Sequence, residues 1–107
     1  MNQLPGDERL GLLGIALKGG RLAVGRDRVR EALHRGRARL IVLAVDAGQA
    51  LRDEVSTVAD RSAVPVIDGP ECQEMGRSLG RARVSVAAVT DHGLAEAFKR
   101  ASVRRQV

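Results

Sequence analysis

The sequence predicts an α/β domain in which helices cover both faces of a small sheet. Three observations carry this. Segments with helical spacing alternate with short apolar segments from one end to the other. The run Leu40–Val45 is apolar at every position, as in a strand covered on both faces. The chain of 107 residues is the length of one domain, able to bury a core without disulfides or metals. Residues 1–107 are therefore expected to form a single domain, with no repeat or linker.

A first helix is expected over Asp7–Lys18, because Leu10, Leu13 and Leu17 fall on one helical face. Gly19-Gly20 stops it, since glycine accepts the left-handed conformation that ends helices. Arg21–Val24 reads as a short strand. Gly25 opens a second helix, Asp27–Arg35, with Val29, Ala32 and Leu33 inward and Gly36 as its stop. After the central strand, Asp46 is expected to cap a helix over Ala47–Arg61, facing inward with Leu51, Val55 and Val58. Ala63–Ile67 reads as a strand whose Pro65 favours an edge or an end. Asp68-Gly69-Pro70 reads as a turn, and Pro70 suits a helix start. That helix runs to Leu79 with Cys72, Met75 and Leu79 inward, and Gly80 ends it. Arg83–Val89 is expected as the last strand. Asp91 caps a last helix with Leu94, Phe98 and Ala101 inward, and residues 103–107 read as a frayed basic tail.

Composition narrows the function. Hydrophobic residues make up 44% and charged residues 29%, a globular mixture. No apolar run approaches the roughly 18 residues of a membrane span. Met1–Pro5 shows no basic patch leading into an apolar stretch, so no secretory leader is expected and the cytoplasm is the expected compartment. Cys72 is the lone cysteine, which excludes an internal disulfide and argues against a cysteine metal site.

Charge is segregated along the chain. The net charge is +5, and 16 of the 18 basic residues are arginine. Residues 18–39 carry eight bases and two acids, residues 40–76 two bases and seven acids, and residues 77–107 seven bases and two acids. If the two basic regions meet in space, they form a face for a polyanion. Guanidinium forks match phosphate geometry.

Catalytic signatures are missing. There is no glycine-flanked Gly-Lys-Ser/Thr phosphate loop, and Gly19-Gly20 to Gly25 lacks dinucleotide-loop spacing. His34 and His92 have no partner at metal-ligand spacing. Asp46 and Asp91 read as helix caps, and Cys72 as core. No enzyme and no cofactor are expected. Phe98 is the only aromatic residue. A stacking platform for single strands is therefore excluded, and any nucleic acid must be held by charge, backbone N–H groups and small contacts.

The segments Leu10-Gly-Leu-Leu-Gly, Gly19-Gly-Arg-Leu-Ala-Val-Gly25, Val29-Arg-Glu-Ala-Leu33 and Gly36-Arg-Ala-Arg-Leu-Ile-Val-Leu-Ala-Val-Asp46-Ala stand in a familiar order. Val64-Pro-Val66, Met75-Gly76, Leu79-Gly80 and Val84-Ser-Val-Ala-Ala-Val-Thr-Asp91-His-Gly-Leu-Ala-Glu96-Ala continue it. Over about Leu10–Phe98 the chain resembles the superfamily of the ribosomal proteins L-seven-Ae and L-thirty-e, nearest to its bacterial YlxQ-like branch. The resemblance implies a three-layer α-β-α sandwich with a small mixed sheet, and binding of structured RNA, such as rRNA or a kink-turn; the chain is expected to act as a cytoplasmic monomer. Ribosome-associated proteins are further partners it implies. Its RNA elements map here to the glycine-led start of the second helix and to the loop before the last strand. The implied contacts are Gly25, Arg26, Asp27, Arg28 and Arg30 in one patch and Arg81, Ala82 and Arg83 in the other, with Arg37 beside them. The kink-turn pattern has Asn-Glu after Gly-Thr and a lysine one turn later. This chain has Asp27 and Arg28 instead, with Glu31 in the lysine position. The residues also leave open a protein-interaction module for an acidic partner, a substrate-recognition module of an RNA-modifying system, and an α/β enzyme using Asp46 or Asp91.

Overall fold

The computed structural model describes residues 6–106. The leader expectation at Met1–Pro5 and the last residue of the expected tail lie outside the described residues. Nine elements follow in order: α1 (Glu8–Lys18), β1 (Leu22–Val24), α2 (Arg26–His34), β2 (Leu40–Ala44), α3 (Gln49–Ser62), β3 (Val66–Gly69), α4 (Cys72–Ser78), β4 (Val86–Val89) and α5 (His92–Gln106). The strands form one mixed sheet in the order β1-β4-β2-β3. β2 and β3 are parallel, and β4 is antiparallel to both β1 and β2. The expected α-β-α sandwich is observed.

Alternation along the inner strands divides the core into two layers. Leu40, Val42 and Ala44 of β2, with Ala87 and Val89 of β4, pack against Leu13 of α1, Met75 of α4 and Phe98 of α5. Ile41 and Leu43, with Val86 and Ala88, pack against Val29 and Leu33 of α2 and Val55 and Ala59 of α3. All five residues of β2 are buried, as its unbroken apolar run requires. The inward faces read from helical spacing also hold: Val29, Ala32, Leu33, Cys72, Met75, Leu79, Phe98 and Ala101 are buried. In α3 the buried pair is Val55 and Ala59, with Leu51 and Val58 half-buried beside them.

Several boundaries differ from expectation. β3 occupies Val66–Gly69, so Asp68 and Gly69 are strand and not turn. Glycine stands there because a Cβ at Gly69 would lie 2.5 Å from Val42 Cγ1. β4 begins at Val86, and Arg83–Ser85 belongs to the preceding loop. Asp46 does not cap α3, which starts at Gln49 behind Gly48. Residues 103–106 are helical and continue α5 rather than fraying. Asp91 does cap α5, accepting from the Leu94 N–H at 2.8 Å. That bond, followed by the Arg21 guanidinium, lowers the Asp91 pKa.

Four helices close alike, with one N–H reaching three residues back and the next reaching five. The pairs are Gly20→Leu17 with Arg21→Ala16, Gly36→Leu33 with Arg37→Ala32, Gly80→Arg77 with Arg81→Gly76, and Ala63→Asp60 with Val64→Ala59. The closing residue is left-handed in every case. Three are glycine, whereas Ala63 holds φ 57°, ψ 37° with a Cβ. Left-handed backbone costs about 1–2 kcal/mol for a residue with a Cβ, and glycine returns part of this in unfolded-chain entropy. Ala63→Gly is therefore expected to stabilise the fold by about 0.5–1 kcal/mol, read as a raised denaturation midpoint with an unchanged m-value.

Candidate functional site

The sheet topology gathers four connections at one end of the molecule. Because β1, β2 and β3 run one way and β4 the other, the exits of the first three meet the entrance of the fourth. The start of α2 and the loop 79–85 are thereby neighbours, although more than fifty residues separate them. Gly25, Arg26, Arg81 and Arg83 line one cleft of about 320 Å³. Its floor is Val24, Val84, Ser85 and Val86, and Leu51 of α3 closes one side. Arg26, Arg81 and Arg83 are exposed, whereas Val84 and Val86 are buried. The result is a shallow apolar floor under a cationic rim.

Gly25 sets the first wall. It is the N-cap of α2 at φ 97°, ψ 161°, with no side chain to cap the helix. Its own N–H donates to the Val86 carbonyl at 3.0 Å, which locks the turn to β4. Val29 is the first residue of α2 whose N–H reaches back into the turn, to the Gly25 carbonyl. The amides of Arg26, Asp27 and Arg28 thus stand at the helix start without intrahelical partners, beside the positive end of the helix dipole.

Backbone bonds hold the second wall. The Arg81 N–H donates to the Gly76 carbonyl at 2.7 Å, and the Val84 N–H to the Cys72 carbonyl at 3.1 Å. The Ala44 N–H donates to the Ser85 carbonyl at 2.8 Å. Gly76 lets the loop lie directly on α4: a Cβ there would stand 2.7 Å from the Ala82 carbonyl oxygen. Ala82 therefore serves the loop through its backbone, while its side chain lies among exposed residues.

The remaining expected residues fall elsewhere. Arg28 and Arg37 line a separate groove of about 430 Å³ between α2 and β1, with Glu31, Arg35 and Thr90. Glu31 is paired with Arg35 at 3.2 Å across one helical turn. Arg30 does not face the cleft. It joins Arg26 on the carboxylate of Glu54 in α3, where Arg26 approaches to 2.7 Å. Asp27 is exposed. Glu54 is the functional neighbour that sequence reasoning missed. The spacing of Arg26 and Arg30 marks one face of α2, but only the packing of α2 on α3 shows which acid meets it.

Electrostatics follow from these contacts. The hydrogen bond from Arg30, then that from Arg26, holds the Glu54 carboxyl below its ordinary value. Two guanidiniums share one carboxylate, so a net positive charge remains at the α2 end. Arg81 and Arg83 have no ion-pair partner among the described residues. Asp46 accepts from the Cys72 N–H at 2.8 Å, and this bond lowers its pKa, with a smaller contribution from Arg83. His34 and His92 are exposed, and no cluster of three metal-binding side chains occurs among the described residues.

Two outcomes are expected. Gly76→Ala pushes the 81–82 loop off α4 and destabilises the protein by about 1–3 kcal/mol, the range for overpacking a close contact, measured by denaturant unfolding. Arg30→Ala raises the Glu54 titration midpoint more than Arg26→Ala does, as followed by carboxyl-carbon NMR. The stability that Glu54 gains from its arginines is complete above the ordinary carboxyl value of 4.5 and is lost as pH falls through its lowered folded value.

The architecture has counterparts. A Bacillus subtilis protein named RNA-binding protein YlxQ is 32% identical over 92 residues, which span 86% of this chain and 92% of that one. A solved Bacillus halodurans structure, described as a protein with unknown function, is 26% identical with a TM-score of 0.84, covering 90% of this chain and 97% of the other. The Giardia lamblia 15.5kD RNA binding protein shares the fold at 16% identity, with a TM-score of 0.71 over 94% of this chain and 90% of its own. Residues 7–99 match the model of the Ribosomal protein L7Ae/L30e/S12e/Gadd45 family, and with nearly the whole described chain inside that match, this protein belongs to that family.

Proposed function

We propose that this chain is a non-catalytic RNA-binding protein that docks on structured RNA, such as rRNA or a kink-turn-like element, through the cleft between the start of α2 and the loop 79–85. The observation that carries the reading is the convergence of Gly25, Arg26, Arg81 and Arg83 on one cleft from two distant basic segments. Unpartnered amides at a helix start receive a phosphate oxygen, and the glycine lets the sugar–phosphate backbone approach. The arginines around it neutralise neighbouring phosphates and release counterions. The apolar floor has room for a base edge without an aromatic platform. The names of the Bacillus subtilis and Giardia lamblia relatives support RNA as the ligand.

Asp27 brings an acceptor to the helix start, suited to a guanine edge or a cytosine amino group. Arg28 and Arg37, one groove away, are available to the flanking backbone. Glu31 is no bar to this, because Arg35 already compensates its charge.

The test is a binding titration against a kink-turn, a plain duplex and a single strand at several salt concentrations. With about five phosphates neutralised, log Kd plotted against log salt is expected to change by roughly 3 to 5 per decade. Charge reversal at Arg81 and Arg83 together, or at Arg26 and Arg28 together, is expected to weaken binding by about 100-fold or more while the fold is retained, because all four side chains are exposed and the Arg26–Glu54 pair that the second variant loses contributes little to stability. A salt-independent affinity, or full affinity in both double variants, overturns the reading.

A further inference from the structure

Arg26 has two donor edges, and Glu54 occupies one of them. A guanidinium carries five N–H donors around a planar fork. Arg26 brings its Nε to 3.2 Å from one oxygen of the Glu54 carboxylate and its Nη2 to 2.7 Å from the other. Two N–H groups on Nη1 and one on Nη2 remain for a ligand, because no other acceptor holds Arg26 among the described residues. Arg30 donates its Nη2 to the same carboxylate. The Arg26 side chain is 61% exposed and that of Glu54 28%. Leu51 and Glu54 stand one turn apart on α3. One helix thus supplies a side of the cleft through Leu51 and the anchor of its cation through Glu54.

The two-point hold fixes the plane of the Arg26 fork. A free arginine meets phosphates at many positions, whereas a fork held by one edge presents the other in one direction. Charge is withheld at the same time. Arg26, Arg30 and Glu54 together carry a single positive charge, and the two guanidinium bonds keep the Glu54 carboxyl ionised. A polyanion that meets this face without fitting the cleft finds one charge where two arginines stand. The contact is not needed to seat α2 on α3. Val29 and Leu33 already pack with Val55 and Ala59 there, and ion pairs this exposed add little to stability.

We propose that Glu54 is a specificity-determining residue of the cleft, aligning Arg26 toward a phosphate at the α2 start and withholding the charge of the Arg26–Arg30 pair from polyanions that do not fit there. This role rests on the RNA reading and adds to it a residue that acts without touching RNA. Glu54 works through Arg26, as a positioning residue. Removing its charge frees two cations and leaves the Arg26 fork unaligned. RNA that fits poorly then gains from the added charge, while RNA that fits well loses alignment as it gains charge, and discrimination falls.

Anisotropy titrations of the full chain against a kink-turn, a plain RNA duplex and a single strand, each at several salt concentrations, test this. Glu54→Gln keeps the shape of the side chain and removes its charge. It is expected to bind the weakest of the three RNAs about five- to tenfold tighter at low salt, with a salt slope steeper by roughly 0.7 to 0.9, the equivalent of one further phosphate contact. Affinity for the tightest of the three is expected to change by less than about threefold, so the ratio between them shrinks. Glu54→Asp retains the charge and is expected to keep the wild-type slope. Glu96→Gln frees Lys99 on α5 and raises the net charge equally, yet is expected to leave all three affinities within about twofold. In a chain already carrying Arg26→Ala and Arg30→Ala, Glu54→Gln is expected to change nothing. The proposal is overturned, with the RNA reading left standing, by any of five results: a wild type that binds all three RNAs alike, an unchanged ratio in Glu54→Gln, a Glu54→Asp slope as steep as that of Glu54→Gln, an equal gain from Glu96→Gln, or a gain that persists without the two arginines. Wild-type binding that ignores salt overturns both.

Discussion

The burial of β2 on both faces is the constraint from which the rest of the molecule follows. Leu40–Ala44 has no exposed residue, so each face must be covered by a helical layer and both edges by strands. β3 fills one edge in parallel, which needs the α3 crossover to return the chain. β4 fills the other edge in the opposite direction. With that polarity set, the ends of β1, β2 and β3 and the start of β4 share one side of the sheet. The basic segments 18–39 and 77–107 each supply one connection there. A reversed β4 would send its preceding loop to the far end and separate Arg81 and Arg83 from Gly25. The cationic cleft is thus a consequence of strand polarity as much as of arginine content.

Within that cleft the cations are not equivalent. Arg26 is divided between the cleft and Glu54, and Arg30 is committed to Glu54. Ion pairs this exposed contribute little to stability. Their structural effect is to fix where the α2 guanidiniums lie before any ligand arrives, which reduces the side-chain ordering a ligand must impose. Arg81 and Arg83 have no ion-pair partner among the described residues, but the loop that carries them is tied down by backbone bonds to Gly76, Cys72 and Ala44. One wall is ordered through side chains and the other through main chain, and both arrive preorganised.

Much of the fold was legible in the sequence because the signals involved are local. Helical spacing identified Val29, Ala32, Leu33, Met75 and Phe98 as inward residues, and the glycines at 20, 36 and 80 marked helix ends. The misread boundaries all depend on contacts distant in sequence. Asp68-Gly69-Pro70 has turn composition, yet Gly69 is a strand residue because Val42 of the neighbouring strand leaves no room for a Cβ. Asp46 has the composition of a cap for the next helix, yet the parallel pairing of β2 and β3 brings the start of α4 to it instead, and its carboxylate takes the Cys72 amide. In the candidate site, charge patterning found both basic segments. It could not separate Arg28 and Arg37, which open onto another groove, from Arg26, nor reveal Glu54, whose part is set by helix packing.

The same layering builds the cleft from two sides. The layer of α1, α4 and α5 covers one face of the sheet and the layer of α2 and α3 covers the other. The cationic cleft lies at the strand ends, where α2 of one layer begins and where the loop after α4 of the other layer is tied to Gly76. Each wall therefore comes from a different layer, and the Gly25 N–H on the Val86 carbonyl ties the two together.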